Sequence, residues 1–434
     1  MTETNFSEVK SKAQIVLTIF ILVLSTKSFS HILDSADENV ISVDCTDCSS
    51  SDAHSPYKIN MLINKYLPDC LVSEKVNIQR QTELANYLAE FEHGLDPYYI
   101  EKSVYKPVVT GVGAISTGFE IEGLDGFHIR RYSGFVDHAS AVKQMQAINH
   151  YRVKLKEMGI HSSGTCLIAI NVSEKAYSSV YIVQPFLRLE QRVKAHIEKR
   201  GDQFLSQLLD KQLLWFEKII TFNEKNKDYK ISVDLHLDNL EIVDRNEDVF
   251  EIRLNDFIPV LLQYKGEFVF DFSNLALSVL YPFSDLFIKP AMVQASSGTF
   301  TPSVISAHLL YGYEQYKKVG SWGSISNWWY GKSADIGYPE WIITRVNQFL
   351  ISHGYSQISE EGVKKYLDKA MLAQGCVKYA QRMTQLIRHY VPFNSEFYMH
   401  SGNASFKRLG YEDDSGFFRC LPFVLFHDFP NPDQ

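Results

Sequence analysis

At 434 residues the chain can hold one large two-lobed domain with appendages, or two ordinary domains, and it is too long to depend on covalent staples. A hydrophobic content of 45%, a charged content of 22% and a mean hydropathy of −0.15 exclude global disorder. The formal net charge of −8 excludes a general nucleic-acid binder, because counterion-release binding needs a broad basic surface.

In the first thirty residues, Lys10 and Lys12 precede an apolar run from Ala13 to Leu24, and Ser28-Phe29-Ser30 offers a small-residue exit. The run is short for a bilayer span but fits a signal-peptide core or a short anchor. Residues 1–30 therefore read as signal- or anchor-like, with membrane association through residues 13–25 and a secreted or membrane-associated chain. Glu3 and Glu8 weaken the basic n-region and keep a second reading open, an amphipathic segment of a cytoplasmic protein.

Residues 31–56, with Asp34, Asp37, Glu38, Asp44, Asp47 and the Ser49-Ser50-Ser51-Asp52 tract, read as a flexible linker. The six cysteines are scattered, and Cys45-x-x-Cys48 lacks a second pair at zinc-site spacing, so no metal is assigned to it. Residues 57–103 read as an N-terminal helical extension, because Leu62, Ile63, Tyr66 and Leu67, then Leu84, Tyr87, Leu88 and Phe91, recur at helical spacing.

The pattern then changes to short strands at Lys106 to Val112, Gly118 to Glu122 and Phe127 to Tyr132, separated by glycines. A helix follows from Ala139 to Met158, then strands at Thr165 to Val172 and Ser179 to Pro185. Leu205, Leu208, Leu209, Leu213, Phe216, Ile219 and Ile220 keep a helical period. Strand pieces at Ile231 to Val233, Leu240 to Val243 and Phe250 to Leu254 precede helices at Val304 to Lys318, Pro339 to His353 and Ser359 to His389.

Phosphoryl transfer needs shielded phosphates, a metal held by oxygen ligands and a base aimed at the attacking hydroxyl. Parts suited to each task occur in chain order. The turn Gly111-Val112-Gly113-Ala114-Ile115-Ser116-Thr117-Gly118 lies between two strands, although a plain hairpin has the same composition. Phe127-His128-Ile129-Arg130-Arg131 puts cations on the third strand. Ser232-Val233-Asp234-Leu235-His236-Leu237-Asp238-Asn239, followed by Asp256-Phe257, supplies two carboxylates and an amide.

These motifs resemble the protein-kinase-like superfamily, in particular its aminoglycoside and choline phosphotransferase branch, whose loop reads His-Gly-Asp-x-His-x-x-Asn and whose metal motif reads Asp-Phe-Gly. The resemblance spans roughly residues 104 to 285. It implies an α+β, two-lobed protein-kinase-like fold, with a small antiparallel-sheet N-lobe at 104–187, a mainly helical C-lobe at 188–393 and a tail at 394–434. It also implies ATP and Mg2+ as cofactors. Asp234 takes the place of the catalytic base, Asn239 and Asp256 of the metal ligands, and Arg130 of the phosphate-binding lysine. His236 takes the place of the loop-stabilising histidine. Gly111, Gly113 and Gly118 would line the phosphates, Gln144 stands where the cation's helical partner is expected, and Gln184 and Phe186 fall on the adenine-binding hinge.

The expected function is a divergent ATP-dependent phosphotransferase acting on a hydroxyl of a small molecule, lipid or protein. A pseudokinase that holds a partner is the alternative, and nucleotidyl transfer a further one. Ser232-Val233 in place of His-Gly, Ile258 in place of the glycine after Asp256-Phe257, and Gln144 in place of Glu depart from the pattern of an efficient kinase.

Other features carry less. Asp271-Phe272 is a second Asp-Phe pair, far from Asn239 in sequence. Gly331-Lys332-Ser333 lacks the first glycine of a P-loop, where Ser326 stands. Trp322, Trp328 and Trp329 form either a ligand platform or ordinary packing. Asn5, Asn171 and Asn403 begin sequons that matter only in a glycosylating compartment.

Overall fold

Runs of β-branched and aromatic residues punctuated by glycine favour hairpin pairing, and here they build a mixed α+β structure around antiparallel sheets. The structure, a computed structural model, describes residues 40–43, 57–62, 78–95, 103–112, 116–135, 137–172, 178–246, 249–258, 260–270, 300–317 and 340–366. All of them belong to one unit, Val40–Gln434.

The main sheet comprises β1 (Val40–Val43), β2 (Tyr57–Leu62), β3 (Val108–Val112), β4 (Thr117–Glu120), β5 (Phe127–Phe135), β6 (Cys166–Val172) and β7 (Ser178–Pro185). Every pairing is antiparallel, in the order β1-β2-β6-β7-β5-β4-β3. Helix α1 (Ile78–Gly94) packs on one face and α2 (His138–Glu157) on the other.

Strand alternation divides the core between these two helices. On β7, Tyr181 and Val183 join Phe119, Ile129 and α1's Leu84, Leu88 and Phe91, whereas Val180 and Ile182 join Tyr132 and α2's Met145 and Ile148. Helix α2 starts at Asp137, whose carboxylate accepts the Ser140 N–H at 2.6 Å and satisfies one of the free donors of the first turn.

Arg131 and Glu92 lock α1 to the sheet. Both are buried, and they form a two-pronged ion pair, Nε to Oε2 at 2.7 Å and Nη2 to Oε1 at 2.6 Å. The Tyr181 hydroxyl donates to the same carboxylate, and Ser179 Oγ reaches it at 3.3 Å. A buried charge without such company would cost far more than the helix gains by docking.

Beyond β7 come α3 (Val193–Lys225), broken at Gly201, and a three-stranded sheet of β8 (Tyr229–Ile231), β11 (Leu262–Tyr264) and β12 (Glu267–Phe268). The hairpin β9 (Leu240–Asn246) and β10 (Val249–Leu254) lies between them in sequence. Helices α4 (Pro302–Lys317) and α5 (Glu340–Ser352) and a helical segment at 360–366 complete the described chain. Leu208, Phe216, Leu309, Val346 and Leu350 pack into the same core as α2.

Two expectations are corrected. Tyr57–Leu62 is a strand paired to β6, not part of a helical extension, and Val40–Val43 within the expected linker is a strand paired to it. The alternation Tyr57, Ile59, Met61 against Lys58 and Asn60 carries the strand period, and the long-range partner β6 gives it something to pair with. Residues 1–30, Cys45, Cys48, the tryptophan cluster and the tail at 394–434 lie outside the described residues. Among the described residues no helix is long and apolar enough to cross a membrane.

Candidate functional site

The segment 232–239 is pinned from several sides. Val233, Leu235 and Leu237 are buried, and the alternation leaves Asp234 and His236 partly exposed. The Tyr151 hydroxyl on α2 donates to the Ser232 carbonyl at 2.7 Å, and the Ser232 N–H donates to Leu261 O at 2.9 Å. Gln212 Nε2 on α3 donates to the Leu235 carbonyl at 2.8 Å, and Tyr313 on α4 donates to Gln212 Oε1 at 2.6 Å. Gly312 brings α4 against the loop, where a Cβ would stand 3.1 Å from the Leu237 nitrogen.

Inside the loop, Asp234 Oδ1 accepts the His236 N–H at 3.1 Å and Asn239 Nδ2 donates to the Asp234 carbonyl at 3.4 Å. His236 Nδ1 accepts the Asp238 N–H at 3.3 Å, and its carbonyl accepts the Asn239 N–H at 3.0 Å, closing one 3-10 turn at Leu237–Asn239. His236 thus takes part in the turn through both its ring and its backbone carbonyl. The Asn239 carbonyl accepts the N–H groups of Asn255 at 2.7 Å and Asp256 at 3.3 Å. That pair of bonds joins the Asp234 loop to the Asp256 loop across the β9–β10 hairpin.

Asp256 also meets the sheet. Arg130 Nη1 on β5 lies 2.6 Å from Asp256 Oδ2, while Asp256 Oδ1 accepts the Ile258 N–H at 3.2 Å. Burial works against the Arg130 charge, but the Asp256 carboxylate outweighs it and holds the guanidinium pKa above its ordinary value, helped by a hydrogen bond to Tyr132. Burial, with Asp256 beside it, pushes the Tyr132 phenol up. The carboxylate that pairs with Arg130 is therefore Asp256, while Gln144 is buried on α2.

The residues expected to touch a nucleotide divide. Gly111 and Gly118 are opposed on β3 and β4, and Gly113 lies outside the described residues. A Cβ on Gly118 would come 2.7 Å from His128 Cε1 and 2.9 Å from Thr110 Oγ1, so this glycine makes room for the His128 ring. Burial, then the charges of Arg130 and Arg192, push the His128 pKa down to about 4, and the ring is neutral at pH 7. Gln184 is buried and donates to the Asn255 carbonyl at 2.8 Å and to Thr165 Oγ1 at 3.3 Å, tying β7 to the Asp256 loop. The Phe186 N–H donates to the Gly126 carbonyl at 2.6 Å, so the donor expected at a hinge is already engaged, and its side chain is exposed.

His128, Tyr132, His308 and Tyr366 are given no role by any motif in the sequence. His128 and Tyr132 stand two residues either side of Arg130, and strand periodicity alone puts all three on one face. His308 on α4 and Tyr366 could not be found that way, because the fold brings them together from distant segments, with Nε2 2.8 Å from the hydroxyl. Burial lowers the His308 pKa against the pull of Asp234, and burial with Asp234 nearby raises that of Tyr366. Both therefore feel the charge of Asp234.

Asn171 lies on β6, where its Nδ2 donates to Ser178 Oγ at 2.9 Å. Asp271, Trp322 and Lys332 lie outside the described residues. No family model matches the chain, and no curated protein matches it with significant similarity.

Proposed function

We propose that this chain is a divergent member of the protein-kinase-like superfamily, which holds a nucleoside triphosphate between the β3–β5 meander and the Asp234–Asp256 loops and transfers its γ-phosphoryl group to a hydroxyl, with the nucleoside diphosphate as leaving group. The observation that carries the reading is the convergence of Arg130, Asp234, Asn239 and Asp256, from one strand and two loops, in one hydrogen-bonded arrangement. The chain order supports it: glycine turn, cation strand, helix α2, hinge-like β7, helix α3, Asp234 loop, hairpin and Asp256. The five strands β3-β4-β5-β7-β6, with α2 inserted between β5 and β6, suit a kinase-like N-lobe.

In this reading Arg130 gathers the phosphate oxygens through its guanidinium fork. Asp234 accepts the hydrogen of the acceptor hydroxyl and aligns its oxygen, and Tyr151 and Gln212 keep that carboxylate in register from behind. The acceptor is a small alcohol, a lipid head group or a protein side chain. A magnesium ion, which the family implies, would rely here on Asn239 and Asp256. Both Asp256 oxygens are already engaged and its charge is offset by Arg130, so these residues in this arrangement do not fit a dedicated divalent site. Among the described residues no cluster of three or more His, Cys, Asp or Glu side chains offers another.

A second reading, a pseudokinase that uses the same core to hold a partner, is favoured by the His128 ring, which fills the space above Gly118. The test is the melting temperature with ATP, with and without Mg2+, together with transfer of labelled γ-phosphate, for the wild type, Asp234→Asn and Asp256→Ala. A thermal shift with transfer that Asp234→Asn abolishes supports the enzyme, and a shift without transfer supports the pseudokinase. Label from the α-phosphate alone on a product indicates nucleotidyl transfer. Neither shift nor transfer in the wild type removes the kinase-like reading.

A further inference from the structure

We infer that Arg130 stands where a divalent cation would otherwise be required, bridging Asp256 and the phosphates, so that nucleotide binds this chain without metal. This rests on the kinase-like reading and specifies its cofactor requirement.

A metal ligand of this kind works because its negative charge is open to the ion. Here the Asp256 carboxylate is in contact with a guanidinium at 2.6 Å, with side-chain exposures of 15% for Arg130 and 30% for Asp256, so the pair is only partly screened by water. A divalent ion at Asp256 would have to displace the guanidinium or sit beside a positive charge, and either lowers its affinity.

The identity of the cation matters as much as its position. A lysine has one compact ammonium, which sits either on the carboxylate or on the phosphate. Arginine presents several donors in a flat fork, and can keep one edge on Asp256 while the other meets phosphate oxygens. Gln144 on α2 brings no carboxylate to compete for it, and Tyr132 steadies the guanidinium from its own strand. Arg192 is a second cation whose charge reaches His128.

The measurement is calorimetric titration of ATP into the full chain in excess EDTA and, separately, in MgCl2. Equal affinity in the two buffers, to within about threefold, is expected. Arg130→Gln should weaken binding in EDTA by about tenfold or more, the scale of one charge-assisted contact, and Arg130→Lys should restore it only in part. Melting temperatures of both variants show whether they are folded, and the lysine variant keeps the charge if the glutamine variant is not. Asp256→Asn should not weaken binding in MgCl2 more than in EDTA.

Binding confined to MgCl2, an unchanged affinity in Arg130→Gln, or a loss in Asp256→Asn seen only with Mg2+ overturns the inference and leaves the kinase-like reading standing. Absence of binding in both buffers overturns both.

Discussion

Arg130 and Arg131 are neighbours on one strand with the same side-chain chemistry, yet the sheet sends them to opposite fates. Arg131 points under α1, is fully buried, and is held by Glu92, whose carboxylate Tyr181 and Ser179 also meet. Arg130 points toward the Asp234 and Asp256 loops, keeps some contact with water, and is held by one carboxylate and one phenol. The comparison teaches that a buried charge clamped two-pronged on a buried carboxylate is a fastening, whereas a partly exposed one with donors to spare is available to a ligand. The first should matter to stability and the second to binding.

The largest expected effect lies on the α1 face. Glu92→Ala leaves Arg131 buried without its carboxylate and should cost about 3–5 kcal/mol in urea denaturation. The double change Glu92→Leu with Arg131→Met should recover most of that loss, since two packed apolar side chains need no counter-charge. Recovery would identify the pair as a fastening; failure would mean that Arg131 has a further task.

The site face should answer to pH instead. His128 has a folded pKa of about 4, below the unfolded value, so the unfolded chain takes up the proton first. Stability should be unaffected by this group above about pH 6.5 and fall between about pH 6.5 and 4, by up to about 3 kcal/mol. His128→Gln should flatten the pH dependence over that window, with the remaining slope left to His150, His196 and His308, whose pKa values burial also lowers.

Two smaller effects probe the loop's support. Gly312→Ala places a methyl group 3.1 Å from a backbone nitrogen that has little room to retreat, and should cost about 1–3 kcal/mol. Tyr151→Phe removes one buried hydrogen bond to the Ser232 carbonyl and should cost about 1 kcal/mol. Under the proposed phosphotransfer, turnover in both variants should fall further than the stability change alone accounts for, because the disturbed backbone carries Asp234.

Much of this was legible in the sequence. The strands and helices from Lys106 to Leu254 follow apolar spacing, and the Asp234, Asn239 and Asp256 positions follow residue type and order. The division of labour between Arg130 and Arg131 was not legible, since alternation separates them but does not say which face a distant helix covers. The strand Tyr57–Leu62 is hard to see locally because its partner β6 lies far along the chain. Glycine at 118 suits a phosphate-lining turn by residue type, and only the cross-strand neighbour His128 reveals what occupies that space.

The strands β1 and β2 have a consequence for handling the protein. Leu167 to Ile170 on β6 are all buried and uncharged, and β2 occupies the hydrogen-bonding edge beside them. A chain trimmed to begin after Leu62 would present that edge to solvent as a ready template for pairing between molecules. Self-association, measurable by light scattering, should then precede any loss of helical signal on heating.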